Sequence, residues 1–363
     1  MGRASESVID QARNQYFGEG RLPSDQLGHA VLRSWIRCSD MGLRERVAPS
    51  PDPLSSGDLR HLHDRHARFC RLCRPELEML GAEARDTGSV VILTDAAGMI
   101  LDTLGDTAFA GRAARVALRP GVDWSEASTG TNAIGVALAE RRPVAVHGGE
   151  HFFADHQLLS CSATPIMDPR GAIMGVLDIS GSSGVSHTHA LGLVRMAVSQ
   201  IEHRLLRQRF DGCRVLRFHG DPGMLGTVRE GALIFREETL VAGNRRGLAL
   251  AGLGWDALDR TRFEQIFALP AGAARSATTL RGPKGETFVC EWRDAETGAP
   301  TLLAEPEAPA PRETTLHDAE TDLILRTLRD CGGNVSEAAR RLGIHRSTIH
   351  RRVAATGRPH PLQ

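Results

Sequence analysis

The C-terminal end of the chain carries side chains suited to binding a polyanion. On one predicted helix the solvent-facing positions are polar or basic, namely His345, Arg346, Ser347, Thr348, His350, Arg351 and Arg352. Arginine offers a rigid fork of donors to guanine edges and phosphate oxygens, and hydroxyl groups also bind phosphates. From Ala338 onward there are six arginines and no acidic residue, although the whole chain has a formal net charge of zero. This concentration of positive charge predicts double-stranded DNA as a partner.

Two short helices joined by a turn would position these side chains. Asn334 can cap the first helix, with Glu337 completing a capping box, and Gly343 suits the left-handed residue that ends it. In the second helix Ile349 and Val353 lie four residues apart and face inward. An amphipathic helix from about 316 to 330 completes a three-helix unit. The pattern predicts a helix-turn-helix; the alternative is a helical hairpin with a basic face and no DNA-binding role.

This segment resembles the Fis-type helix-turn-helix at the C terminus of bacterial enhancer-binding regulators. The matching residues are Gly333-Asn334, Ala338-Ala339, Leu342-Gly343-Ile344, Arg346 and Thr348. The resemblance implies that His345 and Arg346 approach base edges, whereas Thr348, Arg351 and Arg352 hold phosphates. It also makes RNA polymerase a possible second partner.

Composition and patterning set the class of the chain. Its 363 residues suffice for two or three domains. No apolar run reaches the roughly 18 residues of a membrane span, and the N terminus has no hydrophobic signal region, so we expect a cytoplasmic protein without membrane contact. Seven cysteines, an odd and scattered set, are typical of reduced thiols.

The expected fold class is α+β multidomain. The segments are an N-terminal helical region (1–85), a sensor domain (86–184), a connecting helix (185–210), a second α+β domain (211–303), a proline-rich linker (304–313) and the helix-turn-helix (314–363). In the sensor, turn residues at 95–98 and 168–171 predict two hairpins of an antiparallel sheet. Thr131 or Asn132 can start a helix that Pro143 ends.

Ordered motifs in the sensor resemble the GAF domain of the acetoin and glycerol catabolism regulators. They lie at 130–144, 149–152, 159–166, 168–171 and 175–181. The resemblance implies a sheet that holds a small-molecule effector or meets a partner protein. Our candidates for the pocket lining are Trp124, Thr131, Asn132, His151, Phe152, Cys161 and Ser162; the alternative is that individual members pack or cap.

The resemblance extends beyond the sensor in both directions. Segments 30–43 and 74–80 match the helices that precede the sensor in those regulators. Residues 215–300 match their PAS-like region more loosely, and the turn at 236–239 lacks a glycine, so this domain is interpreted as PAS-like and degenerate.

The connecting helix carries apolar residues at spacings of three and four: Leu191, Val194, Val198, Ile201 and Leu205. Such a stripe can pair two helices, and a helix-turn-helix commonly reads two half-sites, so we expect a homodimer. Two heptads are short for a coiled coil, which leaves a helix packed on its own domain as the alternative.

The ATPase module of the enhancer-binding relatives is missing from the sequence between sensor and helix-turn-helix. The single lysine, Lys284, precedes Gly285, so no G-x-x-x-x-G-K-[ST] loop can form. We therefore expect no ATP hydrolysis, no catalytic residues and no cofactor. His219 alone does not indicate haem.

Two further constellations suggest other chemistry. His63, His66, Cys70 and Cys73 share one face of a predicted helix, but they spread along about 15 Å of axis, too far for one tetrahedral ion, so no metal site is expected. Cys161 could belong to a GAF-fold thiol enzyme of the methionine sulfoxide reductase kind.

The function that fits these features is sequence-specific transcriptional regulation. The sensor would respond to a metabolite or partner protein and control a catabolic operon without ATP hydrolysis. An architectural Fis-like DNA-binding protein and the thiol enzyme are the alternatives.

Overall fold

The computed structural model describes residues 6–294 apart from 24–25, 47–51, 114–116, 185–188, 207–209 and 269–277, and further along only residues 327, 331 and 339–341. The chain forms two compact units, Met1–Leu303 and Ala304–Gln363. The seven predicted DNA-binding residues lie outside the described residues. The account below therefore concerns the N-terminal unit.

Three helices open this unit: α1 (Glu6–Arg13), continued by a π-helical turn (Asn14–Gly18), α2 (His29–Asp40) and α3 (Ser56–Asp86). The side chain of Ser55 caps α3 by accepting the Asp58 N–H, which satisfies one of the free amides at the helix start. The helix runs directly into the first strand of a sheet.

The first sheet is antiparallel and has five strands in the order β2-β1-β5-β4-β3. They are β1 (Ser89–Asp95), β2 (Ile100–Gly105), β3 (Val144–His147), β4 (Leu159–Met167) and β5 (Ile173–Ser182). Both predicted hairpins are confirmed. In each turn an aspartate side chain, Asp95 or Asp168, accepts two backbone N–H groups from the residues that follow it.

Three helices lie between β2 and β3: α4 (Thr107–Ala113), α5 (Glu126–Thr129) and α6 (Ala133–Glu140). Asn132 caps α6 by accepting the Gly135 N–H at 2.9 Å. The helix ends at Arg141, whose φ of 54° is left-handed, two residues before Pro143. The predicted helix start at Asn132 is confirmed.

The alternation of side chains along the strands gives the sheet two buried faces. We call the first the helical face, where Val91, Leu93, Ile166, Leu177 and Ile179 pack with α3 and α7 (Ala190–Leu205). We call the second the cup face, where Ile92, Val146, Cys161, Ala163 and Val176 pack with α1, α2 and the segment 122–153. The cup face is where the resemblance places an effector.

Helix α7 corrects the expected pairing through its apolar stripe. Val194, Val198, Ile201 and Leu205 are at most 2% exposed because they pack on the helical face of their own unit. Leu191 is half-buried. The stripe is therefore unavailable to a second subunit, and the alternative, a helix packed on its own domain, is what the structure has.

The second sheet is also antiparallel, with the order β8-β7-β6-β10-β9. Its elements are β6 (Cys213–His219), β7 (Gly231–Arg236), β8 (Thr239–Gly243), α8 (Arg245–Leu250), α9 (Phe263–Ile266), β9 (Thr279–Arg281) and β10 (Thr287–Asp294). The β7–β8 turn forms without glycine because Glu237 adopts a φ of 53°. Asn244 caps α8 through the Gly247 N–H, as Asn132 caps α6.

The architecture confirms the expected α+β class. Among the described helices, none combines the length and apolar character needed to cross a membrane.

Candidate functional site

Four of the predicted pocket residues meet over the cup face. Cys161 projects from β4, and Trp124, His151 and Phe152 come from the segments that cover it. All four are at most 3% exposed. The Trp124 Nε1–H donates to the Ala117 carbonyl at 3.1 Å, which fixes the indole in place. The sequence therefore correctly assembled one aromatic and polar cluster, closed to solvent in this state.

Thr131 and Asn132 have structural roles beside this cluster. The Asn132 amide nitrogen donates toward the Trp124 and Gly130 carbonyls while its oxygen caps α6. The Thr131 hydroxyl accepts from the Ser34 hydroxyl of α2 at 2.7 Å. Asn132 thus has no free hydrogen-bonding capacity, and Thr131 ties the helix α2 to the sensor.

Ser162 lies on the other side of the sheet. It is adjacent to Cys161 in β4, and neighbouring residues of a strand point to opposite faces. With Cys161 on the cup face, Ser162 is on the helical face, 5% exposed. The same alternation, read along 159–166 of the sequence, would have separated the two residues.

A chain of polar side chains on the cup face was not predicted. The Ser180 hydroxyl lies 2.5 Å from Asp178 Oδ2 and 3.0 Å from Cys161 Sγ, and Cys161 Sγ lies 3.5 Å from His151 Nε2. His151 Nδ1 reaches the Gly148 carbonyl at 3.0 Å. The sequence signal was present, since Asp178 interrupts the apolar strand V-L-D-I and shares a face with Val176.

Burial makes this chain electrically neutral. It raises the pKa of Asp178 to about 7, raises the pKa of the Cys161 thiol well above its usual range, and lowers the pKa of His151 to about 3. The thiol and the imidazole are therefore uncharged at neutral pH, and the carboxyl group is close to its midpoint.

Neutrality fixes the direction of the hydrogen bonds. A neutral His151 that donates from Nδ1 to the Gly148 carbonyl must accept at Nε2, so the Cys161 S–H is the donor there. Ser180 can then donate to the Cys161 sulfur and accept from a protonated Asp178. With Asp178 protonated, each group donates to the next as far as the Gly148 carbonyl.

His156 completes the polar surroundings of the cup. Its ring stacks on Trp124 with 5.1 Å between centroids and meets the edge of His151 at 6.5 Å. Burial lowers the pKa of His156 to about 4, so this ring is also neutral. Within the described part of the chain, Nδ1 of this 2% exposed residue has no hydrogen-bond partner.

Helices α1 and α2 hold the segment 148–158, which we call the covering loop. The guanidinium of Arg13 donates to the carbonyls of Gly149, His151 and Phe152 at 2.9, 2.6 and 3.0 Å. The Trp35 indole donates to the Glu150 carbonyl at 2.8 Å. The N-terminal helices therefore close the cup from outside.

Ion pairs secure α2 to the helices α5 and α6. Arg37 binds both carboxylate oxygens of Glu126 at 2.7 Å and Glu140 at 3.0 Å. Hydrogen bonds, first from Arg33 and then from Arg37, lower the pKa of Glu140 to about 2. These pairs keep the N-terminal helices on the sensor across the physiological pH range.

The histidines and cysteines of α3 serve separate contacts. His63 Nε2 lies 2.8 Å from the Leu101 carbonyl, His66 Nε2 lies 3.7 Å from Asp95 Oδ2, and Cys73 is fully buried. Cys70 is half-buried. Over the residues that the structure describes, no three potential ligands are grouped to hold one metal ion.

Comparison with known proteins defines the class as bacterial transcription regulators with an N-terminal sensor. A family profile described as "MimR, N-terminal domain" matches residues 6–203, and one described as "Bacterial regulatory protein, Fis family" matches residues 315–355. The chain belongs to the MimR N-terminal domain family. The resemblance inferred from the motifs of the sensor and of the C-terminal segment is confirmed.

Three curated relatives illustrate the family. The chain is 34% identical to an uncharacterized 47.3 kDa protein in the thcA 5' region of Rhodococcus erythropolis, covering 56% of this chain and 46% of that protein. It is 31% identical to the propane 2-monooxygenase operon transcriptional activator MimR of Mycolicibacterium goodii, with 56% and 35% covered. It is 30% identical to the acetoin dehydrogenase operon transcriptional activator AcoR of Bacillus subtilis, with 54% and 32% covered.

The chain spans less than half the length of these relatives. A solved structure, the Escherichia coli DhaR(N)-DhaL complex, aligns with a TM-score of 0.47 at 14% identity, over 72% of this chain and 98% of the matched chain.

Proposed function

We propose that the chain is a sequence-specific, DNA-binding transcriptional regulator that controls a catabolic operon in response to a small effector. The observation that supports this most directly is the pairing, in one chain, of a MimR-type N-terminal domain with a Fis-family segment that is basic from Ala338 onward. Two relatives are activators of the operons for propane 2-monooxygenase and acetoin dehydrogenase. Its site of action is the cytoplasm, where the chromosome lies.

We assign DNA contact to His345, Arg346, Ser347, Thr348, His350, Arg351 and Arg352. His345 and Arg346 read base edges, and the remaining side chains hold phosphates. The domain limits proposed from the sequence, with the linker at 304–313, put this output separate from the sensor. Recognition of two half-sites requires a homodimer, and its contacts lie elsewhere than on the buried stripe of α7.

The effector acts at the cup face of the sensor. Trp124, His151, Phe152 and Cys161 supply apolar walls and polar groups in the mixture typical of small-molecule sites. The N-terminal helices determine access because Arg13 and Trp35 bind the backbone of the covering loop. Effector binding then changes DNA affinity or contact with RNA polymerase.

Regulation proceeds without chemistry at the sensor. The sequence contains no phosphate loop for ATP hydrolysis, since its one lysine precedes glycine. A methionine sulfoxide reductase needs a reactive thiolate, whereas burial raises the pKa of the Cys161 thiol well above its usual range. The thiol is a hydrogen-bonding group here.

Genome-wide sequencing of bound sites, followed by footprinting with the full chain, tests this function. We expect a discrete set of sites, one of them beside catabolic genes, with protection of two half-sites. Binding spread evenly over the genome would instead identify an architectural protein. Turnover of free methionine sulfoxide by the folded protein would establish the enzyme.

A further inference from the structure

We propose that Asp178 and His156 form the recognition site for a small, uncharged effector that carries hydroxyl groups. This inference rests on the sensor function proposed above and adds the chemical class of the effector. It depends on two buried acceptors that the fold itself leaves without a partner.

Asp178 is the first acceptor. The residue is 0% exposed and lies on the cup face of β5, beside Ser180 and Val176. Its Oδ2 is engaged with Ser180, but Oδ1 accepts no hydrogen bond from the described residues. An unpaired buried oxygen costs about 1–3 kcal/mol, and its presence in a native fold requires an explanation. A donor supplied by a bound molecule would remove that cost.

His156 is the second acceptor. The Thr129 backbone hydrogen-bonds this imidazole, and a neutral ring that donates one N–H there has a lone pair on the other nitrogen. That nitrogen, Nδ1, is the one without a partner among the described residues. Because His156 packs on Trp124 and against His151, this lone pair belongs to the same covered region as Cys161 and Ser180. Two acceptors call for a ligand with two donors, as in a diol.

The charge of the site excludes ions. The cup-face residues of the strands are apolar apart from Thr94, Cys161, Asp178 and Ser180, so a carboxylate or phosphate would meet no cationic side chain on the sheet. Arg13 is committed to three carbonyls on the outside of the covering loop. An ammonium group would need an ionised Asp178, which burial disfavours. The aromatic walls of Trp124 and Phe152 restrict the ligand to a few carbon atoms.

Isothermal titration calorimetry on the full chain tests the proposal with four probes: 2,3-butanediol, glycerol, propanoate and propylammonium. We expect heat of binding for at least one hydroxyl-bearing probe and for neither ion. In Asp178→Leu the dissociation constant should rise at least tenfold, the equivalent of one hydrogen bond at about 1.4 kcal/mol. Asp178→Asn should bind nearly as the wild type, because its amide can donate to Ser180 and leave the oxygen free. Ser162→Ala, on the opposite face, is the matched control.

The stability of the ligand-free variants separates binding from packing. If Asp178 serves a ligand, Asp178→Leu should melt at or above the wild-type temperature, since it removes an unpaired buried oxygen. A lower melting temperature with unchanged diol affinity would show a structural role and overturn the proposal. His156→Phe keeps the stacking and should also weaken diol binding at least tenfold, which provides a second variant should Asp178→Leu fail to fold.

The failure of this inference is distinguishable from failure of the proposed function. Binding of propanoate or propylammonium alone, or of no probe, would overturn the hydroxyl class. DNA footprinting on the same preparation would still decide whether the chain is a regulator, because that measurement does not involve Asp178.

Discussion

Arg245, at the start of α8, donates a hydrogen bond of 2.8 Å to Glu202 near the end of α7, and so joins the second sheet to the sensor. The same Glu202 oxygen accepts the Met167 N–H at 2.9 Å, and Arg245 also reaches the Pro165 carbonyl at 3.1 Å. Met167 and Pro165 belong to β4, the strand that carries Cys161 into the cup. The contact therefore links the effector face to the domain that follows it.

The hairpin between β4 and β5 extends this link. The Gly243 N–H donates to the Pro169 carbonyl at 2.8 Å, and Arg170 pairs with Asp259 at 2.6 Å. A Cβ at Gly171 would lie 2.8 Å from the Trp255 ring, so the tip of the hairpin sits against the second domain. Movement of β4 or β5 on effector binding would reach that domain without an intermediate.

Arg245→Ala should loosen this connection. The substitution leaves the buried Glu202 with fewer partners, and we expect a loss of about 1–3 kcal/mol in the free energy of unfolding, reduced by the partial exposure of Arg245. Denaturant unfolding followed by tryptophan fluorescence measures it. The exposed neighbour Arg246→Ala should cost less than about 0.5 kcal/mol. Equal effects of both substitutions would contradict the role given to the pair.

Asp178 should make the stability of the sensor depend on pH. Its folded pKa of about 7 lies above the usual value of an aspartate, so the folded state holds a proton that the unfolded state releases. The contribution to stability is complete below pH 4 and is lost as the pH rises from about 4 to 7, at up to about 1.4 kcal/mol per pH unit.

Asp178→Asn provides the comparison for this pH effect. His151 and His156, whose pKa values are lowered by burial, lose stability in the opposite direction as the pH falls below about 6.5, but they are present in both proteins and cancel. Unfolding free energies of the two proteins should diverge between pH 5 and 7, with the wild type becoming relatively less stable. Parallel curves would show that Asp178 does not hold the proton.

Arg13→Ala should open the covering loop. It removes three hydrogen bonds to the carbonyls of Gly149, His151 and Phe152, and the cation–π contacts with Phe17 and Trp35. We expect faster amide hydrogen exchange in 148–158, by about tenfold or more for each 1.4 kcal/mol lost. Arg13→Lys should not restore protection, since an ammonium lacks the planar fork. The exposed Arg21→Ala is the control, and a similar acceleration there would remove Arg13 from the role.

The local elements of the fold were predictable because their signals are local. Asp95 and Asp168 sit at the turns where a side-chain acceptor satisfies two amides, and Asn132 caps the helix whose start it predicts. The turn at Glu237 was harder to read, since a non-glycine residue adopts the left-handed conformation there.

Tertiary partners were not predictable from the same patterns. The stripe on α7 shows that one side of the helix is apolar, but not that Val198 and Ile201 pack on their own sheet. Asp178 resembles a solvent-facing residue of an alternating strand until the covering loop, closed by Arg13, is placed over it. The site thus depends on contacts between residues more than 100 positions apart, such as Arg13 with His151.

The division of DNA contacts between Arg346 and Arg351 gives the last prediction. Arg346→Ala should remove a base contact, weaken the specific site by about 1–3 kcal/mol and relax the preference at one base pair. Arg351→Ala should instead weaken all sequences to a similar degree and lower the salt slope of binding by about one, because it releases one phosphate contact. Binding-site selection and titrations at several salt concentrations measure both effects. The contrast is informative because the two variants lose the same charge, so a purely electrostatic interface would respond identically to each, and identical profiles would refute base readout by Arg346.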